Sequence, residues 1–162
     1  RSSEYVQQLK SKQKVRNIYR MLERQFKNWV KQAMKSKVAT GEFLVQKLEH
    51  RLDNVVFRSG LAQSRDQARQ IVNHGHIMVN ARRVSIPSYE VRLNDVITIR
   101  EGSKKTQYFS ALAPQWMKAF EAPSWLKVDT TLFIITVQGV PTLVESGIEG
   151  ADLQSLIEFY SR

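Results

Sequence analysis

The 162-residue chain contains no cysteine, which excludes disulfides and thiolate-held metals within it. It has no long apolar run. The longest, Leu132 to Val137, is interrupted by Thr136 and is far too short to span a bilayer as a helix. There is no secretory signal, no GxGxxG, no Walker-type phosphate loop and no GxSxG elbow. Only three histidines occur. Two of them, His74 and His76, sit at a helix end with no cysteine or nearby carboxylate to complete a metal site. Asp53 and Asp66 read as helix or ion-pair residues rather than a catalytic pair, and the serines lack an activating base. The expectation is a protein without catalysis, metal or cofactor, in a cytosolic or organellar setting. The chain opens on Arg1 rather than Met, so a preceding segment is expected.

What the chain has in excess is positive charge, and it is unevenly placed. The net charge is +9 over residues 1–40, +3 over 41–100 and −2 over 101–162. A field of this sign and gradient favours nucleic acid or an anionic membrane surface. Residues 3–38 read as helix, with Val15, Ile18, Tyr19, Leu22, Phe26, Trp29, Val30 and Ala33 on one stripe and Ser2 or Ser3 as cap. No glycine or proline shows whether this is one helix or two. The opposite face carries Lys10, Lys14, Arg20, Arg24, Lys27 and Lys31, with only Glu4 and Glu23 nearby to pair with them.

After Gly41 a second helix is expected, with Leu44, Val45, Leu48, Leu52, Val55 and Val56 on its stripe and Gly60 as its left-handed stop. Ser64-Arg-Asp-Gln67 matches a capping box and opens a third helix, which Gly75 ends. Arg65 and Arg69 share one face of it, off the apolar stripe of Ala68, Ile71 and Val72. The period then changes to two. Ile77 and Val79 point one way and His76, Met78 and Asn80 the other. Asn80-Ala81-Arg82-Arg83 reads as a hairpin turn, with alternation resuming at Val84 and Ile86 until Pro87. Val96–Ile99 is the clearest strand. Beyond it, residues 104–122 read as helical up to Pro114, with Trp116 and Phe120 packing. Residues 125–129 and 132–137 read as strands. The last stripe, Leu153, Leu156, Ile157 and Tyr160, has Asp152 as its cap and must be buried on a partner. The N-terminal stripe supplies that partner, so the two chain ends are expected to pack together.

Residues 49–100 carry eight arginines and no lysine. Guanidinium groups suit bidentate phosphate and base-edge contact, and the Ser64–Arg65 helix start adds free backbone N–H groups. No dimerisation heptad accompanies them, so a broad arginine surface reading A-form RNA fits better than a duplex-DNA reader. His74 and His76 are placed to donate to phosphate or stack on a base, or to serve as a helix-end residue and a strand-face residue.

The stretch RLDNVVFRSGLAQSRDQARQIVNHGHIMVN, Arg51 to Asn80, closely resembles the core of the ribosomal protein S-four family of the small subunit. IPSYEV (Ile86 to Val91), KQKVRNIY (Lys12 to Tyr19), ERQF (Glu23 to Phe26) and the terminal EFYSR (Glu158 to Arg162) are similar to that family as well. The central module alone also occurs in pseudouridine synthases, tyrosyl-tRNA synthetases and small RNA-binding heat-shock proteins, so the ends carry the specificity. The resemblance implies an α+β protein: a mostly helical domain built from both chain ends (1–48 plus 147–162), with an inserted RNA-binding module at 49–146. Within the module, helices cover 49–75, a small antiparallel sheet 76–100, and a further helix and strands 103–146. It implies a structural constituent of the small ribosomal subunit that binds 16S-type rRNA early, nucleates assembly of the subunit body and contributes to accuracy. Its expected partners are small-subunit rRNA, the neighbouring ribosomal protein S-five and the mRNA entry region, as a monomer within the ribosome and without a membrane. The rRNA contacts expected are Lys10, Lys12, Lys14, Arg16, Arg20, Arg24, Lys27, Arg51, Arg58, Ser64, Arg65, Arg69, His74, His76, Arg82 and Arg83. Two features depart from the family. These 162 residues do not include the family's further basic N-terminal segment, which in some members carries a cysteine metal knuckle, and Ala81 stands where relatives often carry glycine. The rival readings are a free-standing stress or ribosome-recycling factor built on the same module, a fragment of an RNA-modifying enzyme, and an amphipathic membrane binder.

Overall fold

The structure, a computed structural model, describes residues 2–162; Arg1 and any capping by the Ser2 side chain lie outside what is described. The chain forms two compact units. One joins Arg1–Glu49 to Pro141–Arg162, and the other is His50–Val140.

The first unit is helical. Its elements are α1 (Ser2–Ile18), α2 (Glu23–Lys35) and α3 (Thr40–Glu49), joined from the far end of the chain by α8 (Leu143–Ser146) and α9 (Gly150–Tyr160). Its core is the expected stripe: Val15, Tyr19, Phe26, Val30 and Ala33 meet Leu44, Leu48, Leu153, Leu156 and Tyr160. Burying each large side chain contributes roughly 1.5–3 kcal/mol. Leu22, expected on the stripe, is instead exposed, because the run breaks there into two helices. Arg20 takes the left-handed conformation (φ 56°), a position glycine usually fills, and Arg16 closes the turn by donating Nη1 to the Met21 carbonyl at 2.7 Å. Asp152 does not cap α9. Glu149 occupies the cap without a side-chain hydrogen bond, and Asp152 instead accepts from Ser11 Oγ at 2.9 Å in the first turn.

The second unit packs α4 (Leu52–Arg58) and α5 (Arg65–Asn73) with a five-stranded antiparallel sheet. Its strands are β1 (Ile77–Val79), β2 (Arg82–Arg83), β3 (Val96–Ile99), β4 (Leu126–Asp129) and β5 (Ile134–Val137), in the order β2-β1-β3-β5-β4. Leu52, Val55, Val56, Leu61, Ile77, Ile97 and Ile135 form its core.

The apolar stripe from Leu44 to Val56 belongs to two helices, not the one expected, because the chain is extended at Arg51 (φ −62°, ψ 138°). The first N–H groups of α4 need partners. They are supplied by main chain rather than by a capping side chain: Leu52 and Asp53 donate to the Tyr89 and Pro87 carbonyls at 2.9 and 3.1 Å, and Arg51 bridges Glu90. The strand expected at Val84–Ile86 also ends early, at Arg83. β1 is only three residues long and its last hairpin bond comes from the Val84 N–H to Ile77, so Ile86 lies outside the sheet, exposed.

Pro114 does not end the helix after β3. A short helix α6 (Glu101–Lys104) leads to a π-helical turn, Tyr108–Leu112, and then to α7 (Ala113–Ala119), which carries the proline in its first turn. There the missing proline N–H costs little. The Ala113 N–H bonds the Tyr108 carbonyl five residues back, so the wider turn absorbs the register change. The buried spine is Phe109, Ala113 and Met117. Trp116 is half-buried against the Tyr108 ring and Phe120, though exposed, meets the Phe57 ring, so the two expected packing residues pack at the margin of the core.

The hairpin turn holds Asn80 and Ala81 both at positive φ (50° and 66°), the arrangement in which a Cβ is disfavoured. Ala81→Gly is therefore expected to raise stability by about 0.5–1 kcal/mol, the relief of strain exceeding the added chain entropy. Urea unfolding measures it, and an unchanged or lower midpoint means the turn is not strained.

Candidate nucleic-acid interface

In the inserted unit the expected cations lie at the end of α4, along α5 and on the β1–β2 hairpin. Ser64 is extended and accepts the Gln67 N–H at 3.1 Å, as the capping pattern predicts. The reciprocal bond differs: Gln67 Oε1 accepts from the Gln63 N–H at 2.7 Å, not from Ser64. Arg65 is held rather than loose. Its Nε donates to Asn54 Oδ1 at 3.1 Å and its guanidinium lies 4.5 Å from the Phe57 ring centroid. A guanidinium fixed by stacking loses less entropy when it forks onto a phosphate. Arg58 ends α4 and Arg69 follows one turn after Arg65; both are half-buried.

At the other end of α5, His74 is the exposed C-cap, and Gly75 turns the chain at φ 78°. Arg83 donates Nε to the Gly75 carbonyl at 2.9 Å, and its guanidinium occupies the space a Cβ on residue 75 would need. The positive φ favours glycine there, and a side chain would also have to displace the Arg83 guanidinium. Arg82 and Arg83 are exposed on the hairpin. His76 pairs Nδ1 with Ser103 Oγ at 2.7 Å. Burial, followed by the positive charges of Arg100, His74 and Arg83, holds the His76 imidazole below the usual histidine range. Asn54, Phe57 and Arg100 were not signalled by the sequence pattern, since each acts through a residue distant along the chain.

In the helical unit, Lys10 and Lys14 on α1, Arg20 in the turn, and Arg24 and Lys27 on α2 are exposed. The local count of acids was misleading here. Lys14 Nζ pairs with Asp152 at 2.9 Å and Glu149 at 3.5 Å, carboxylates from the opposite end of the chain. The Asp152 hydrogen bond and the two charges raise the Lys14 ammonium above its ordinary value.

Three expected contacts sit differently. Arg51 is 2% exposed and bidentate on Asp53, Nε to Oδ1 and Nη2 to Oδ2, both 3.0 Å. Lys12 is buried, with Nζ 2.6 Å from Glu23 and 5.3 Å from the Phe159 ring centroid. Arg16 is half-buried and turned onto Gln13, Met21 and Glu23. Each spends its charge inside its own unit. Among the described residues no helix is long and apolar enough to cross a membrane, and no three His, Asp or Glu side chains gather to hold a metal ion.

Residues 1–49 match the ribosomal protein S4/S9 N-terminal domain, and residues 50–97 match the S4 domain. The small ribosomal subunit protein uS4 of Chloroflexus aurantiacus is 44% identical over 161 residues, 99% of this chain and 78% of the relative. That of Thermotoga maritima is 46% identical over 160 residues (99% and 76%), and that of Herpetosiphon aurantiacus 47% over 161 (99% and 76%). The similarity runs through both units, including the helical ends that lie outside the RNA-binding module. The chain belongs to the small ribosomal subunit protein uS4 family.

Proposed function

We propose that this protein is a structural constituent of the small ribosomal subunit that binds 16S-type rRNA directly, helps nucleate the subunit body and contributes to accuracy. The observation that carries the reading is the α5 start. There a capped helix N-terminus stands beside Arg65, which is pinned by Asn54 and Phe57, with Arg58 and Arg69 carried by the same helix pair. Rigid guanidinium groups beside a helix start suit a folded RNA whose phosphates are themselves fixed. The exposed cations of α1 and α2 provide a second surface for the same partner. Ribosomal protein S-five and the mRNA entry region are its proposed neighbours, with the chain a monomer in the ribosome. The free-standing factor is the weaker reading, because the relatives resemble this chain through both helical ends as well as the module.

The test is binding to a 5′-domain fragment of small-subunit rRNA across a salt series. Affinity should fall log-linearly, each phosphate contact adding roughly −0.7 to −0.9 to the slope. A flat response, or equal affinity for unrelated RNA, overturns the reading. Arg65→Ala with Arg69→Ala should weaken binding about tenfold and make the slope shallower, at unchanged folding. Retention on small subunits through a high-salt wash separates a constituent from a dissociating factor.

A further inference from the structure

We propose that a cleft between α5 and the π-helical turn receives one unstacked nucleobase of the bound RNA. The inference deepens the RNA-binding reading and rests on it. The cleft has a volume of about 310 Å³. Gln70, Ile71 and His74 line it from α5 and its cap, His76 from the start of the hairpin, and Tyr108 and Phe109 from the π-helical turn.

Its walls are rings set edge to face. His76 and Phe109 lie 5.4 Å apart at 62°, Tyr108 and Phe109 4.9 Å apart at 78°, and His74 and His76 6.3 Å apart at 62°. In such pairs each ring meets its neighbour at an angle rather than flat. Phe109 is buried, so the rings left to meet a planar guest are the exposed His74 and the half-buried His76 and Tyr108, and base stacking on such side chains is the general way proteins hold unpaired nucleotides.

The polar groups suit a base edge. Tyr108 is anchored by its hydroxyl to the Leu61 carbonyl at 2.6 Å, and burial pushes the phenol up to about 12, so it stays neutral. His76 Nδ1 is committed to Ser103, which leaves Nε2 as the ring nitrogen for a ligand. Whichever tautomer Ser103 selects, a neutral imidazole presents the complementary donor or acceptor at Nε2. The exposed Gln70 amide adds one acceptor and two donors. The arginine charges that bear on His76, from Arg100 and Arg83, are positive, which favours a guest that carries a phosphate. An apolar peptide would leave these polar groups unused.

The experiment uses the intact chain bound to the 5′-domain rRNA fragment at mildly alkaline pH. Short-wavelength ultraviolet light joins stacked bases to side chains, and mass spectrometry of the digest locates the adduct. The expected result is a nucleotide on Tyr108, His76 or His74. In parallel, His76→Leu and the exposed-site variant His74→Ala should each bind about tenfold more weakly with an unchanged salt slope, because a stacking contact is lost and no phosphate contact is. His74→Ala keeps the test decisive if His76→Leu fails to fold. Adducts confined to other segments, wild-type affinity in the folded variants, or a shallower slope overturn the base cleft while leaving RNA binding intact. Failure of the wild-type chain to select the rRNA fragment instead overturns the RNA-binding reading itself.

Discussion

Replacing Asp53 by Ala is expected to lower the stability of the His50–Val140 unit by about 3–5 kcal/mol. Arg51 is enclosed, and both of its bonds to Asp53 are 3.0 Å long. A guanidinium cannot shed its proton to escape burial. Without the carboxylate, the charge stays in a low-dielectric site with its bidentate partner gone. The pair also stands where α4 begins, against the Pro87–Glu90 segment that caps it, so the loss reaches the helix start. Asp53→Asn, which keeps one acceptor oxygen, should lose less. Urea unfolding measures both. Arg51→Ala should behave as a stability variant: RNA affinity of the folded protein keeps its salt slope. A slope reduced by about one at unchanged stability would return Arg51 to the RNA surface.

Glu23→Gln is expected to cost the helical unit about 2 kcal/mol. Glu23 accepts from buried Lys12 at 2.6 Å and from the Tyr160 hydroxyl at 2.8 Å, and Arg16 lies 3.6 Å away. The carboxylate is 47% exposed, so solvent screens it and the loss stays below that of an enclosed pair. Burial pushes the Glu23 carboxyl up. The hydrogen bonds from Lys12 and Tyr160, with the charges of Lys12 and Arg16, together outweigh that and hold it below its ordinary 4.5. The Lys14 hydrogen bond similarly holds Asp152 below 3.8, against a smaller opposing effect of burial. Carboxylates with depressed folded values contribute stability that is complete above their unfolded values and lost as pH falls through the folded ones. The helical unit should therefore weaken below about pH 4.5. Thermal melts over an acid series check this. Glu23→Gln should flatten the acid limb, and parallel curves for the two proteins would remove Glu23 from the explanation.

The legible parts of the fold were those encoded by short-range periodicity. The stripe Val15, Phe26, Val30 and Ala33 is buried as its spacing requires, Gly60 and Gly75 turn at positive φ, and Ser64 caps α5. What failed was reading breaks from missing signals. Arg20 adopts the left-handed turn without being glycine, and the α4 start is capped by carbonyls of Pro87 and Tyr89, so neither break announces itself locally. The start of α5 in the candidate site was legible because its cap and its arginines lie within six residues of one another. The base cleft was not, because Tyr108 and Phe109 meet His76 from more than thirty residues away.

Sequence alone determined the charge gradient, the helix and strand periods, the arginine-rich α5 face and the resemblance carried by both chain ends. These depend on residue type and on backbone repeats of two or 3.6 residues, which any short window displays. Tertiary structure decided which cations face outward. Arg51 and Lys12 look no different from Arg58 and Lys10 in the sequence, yet the first two are buried on carboxylates and Lys10 is exposed. Lys14 meets its acids only because α9 returns from the far end of the chain. The destination of a charge is set by what the fold brings within a few ångströms of it, where burial makes pairing decisive, and no local pattern contains that information.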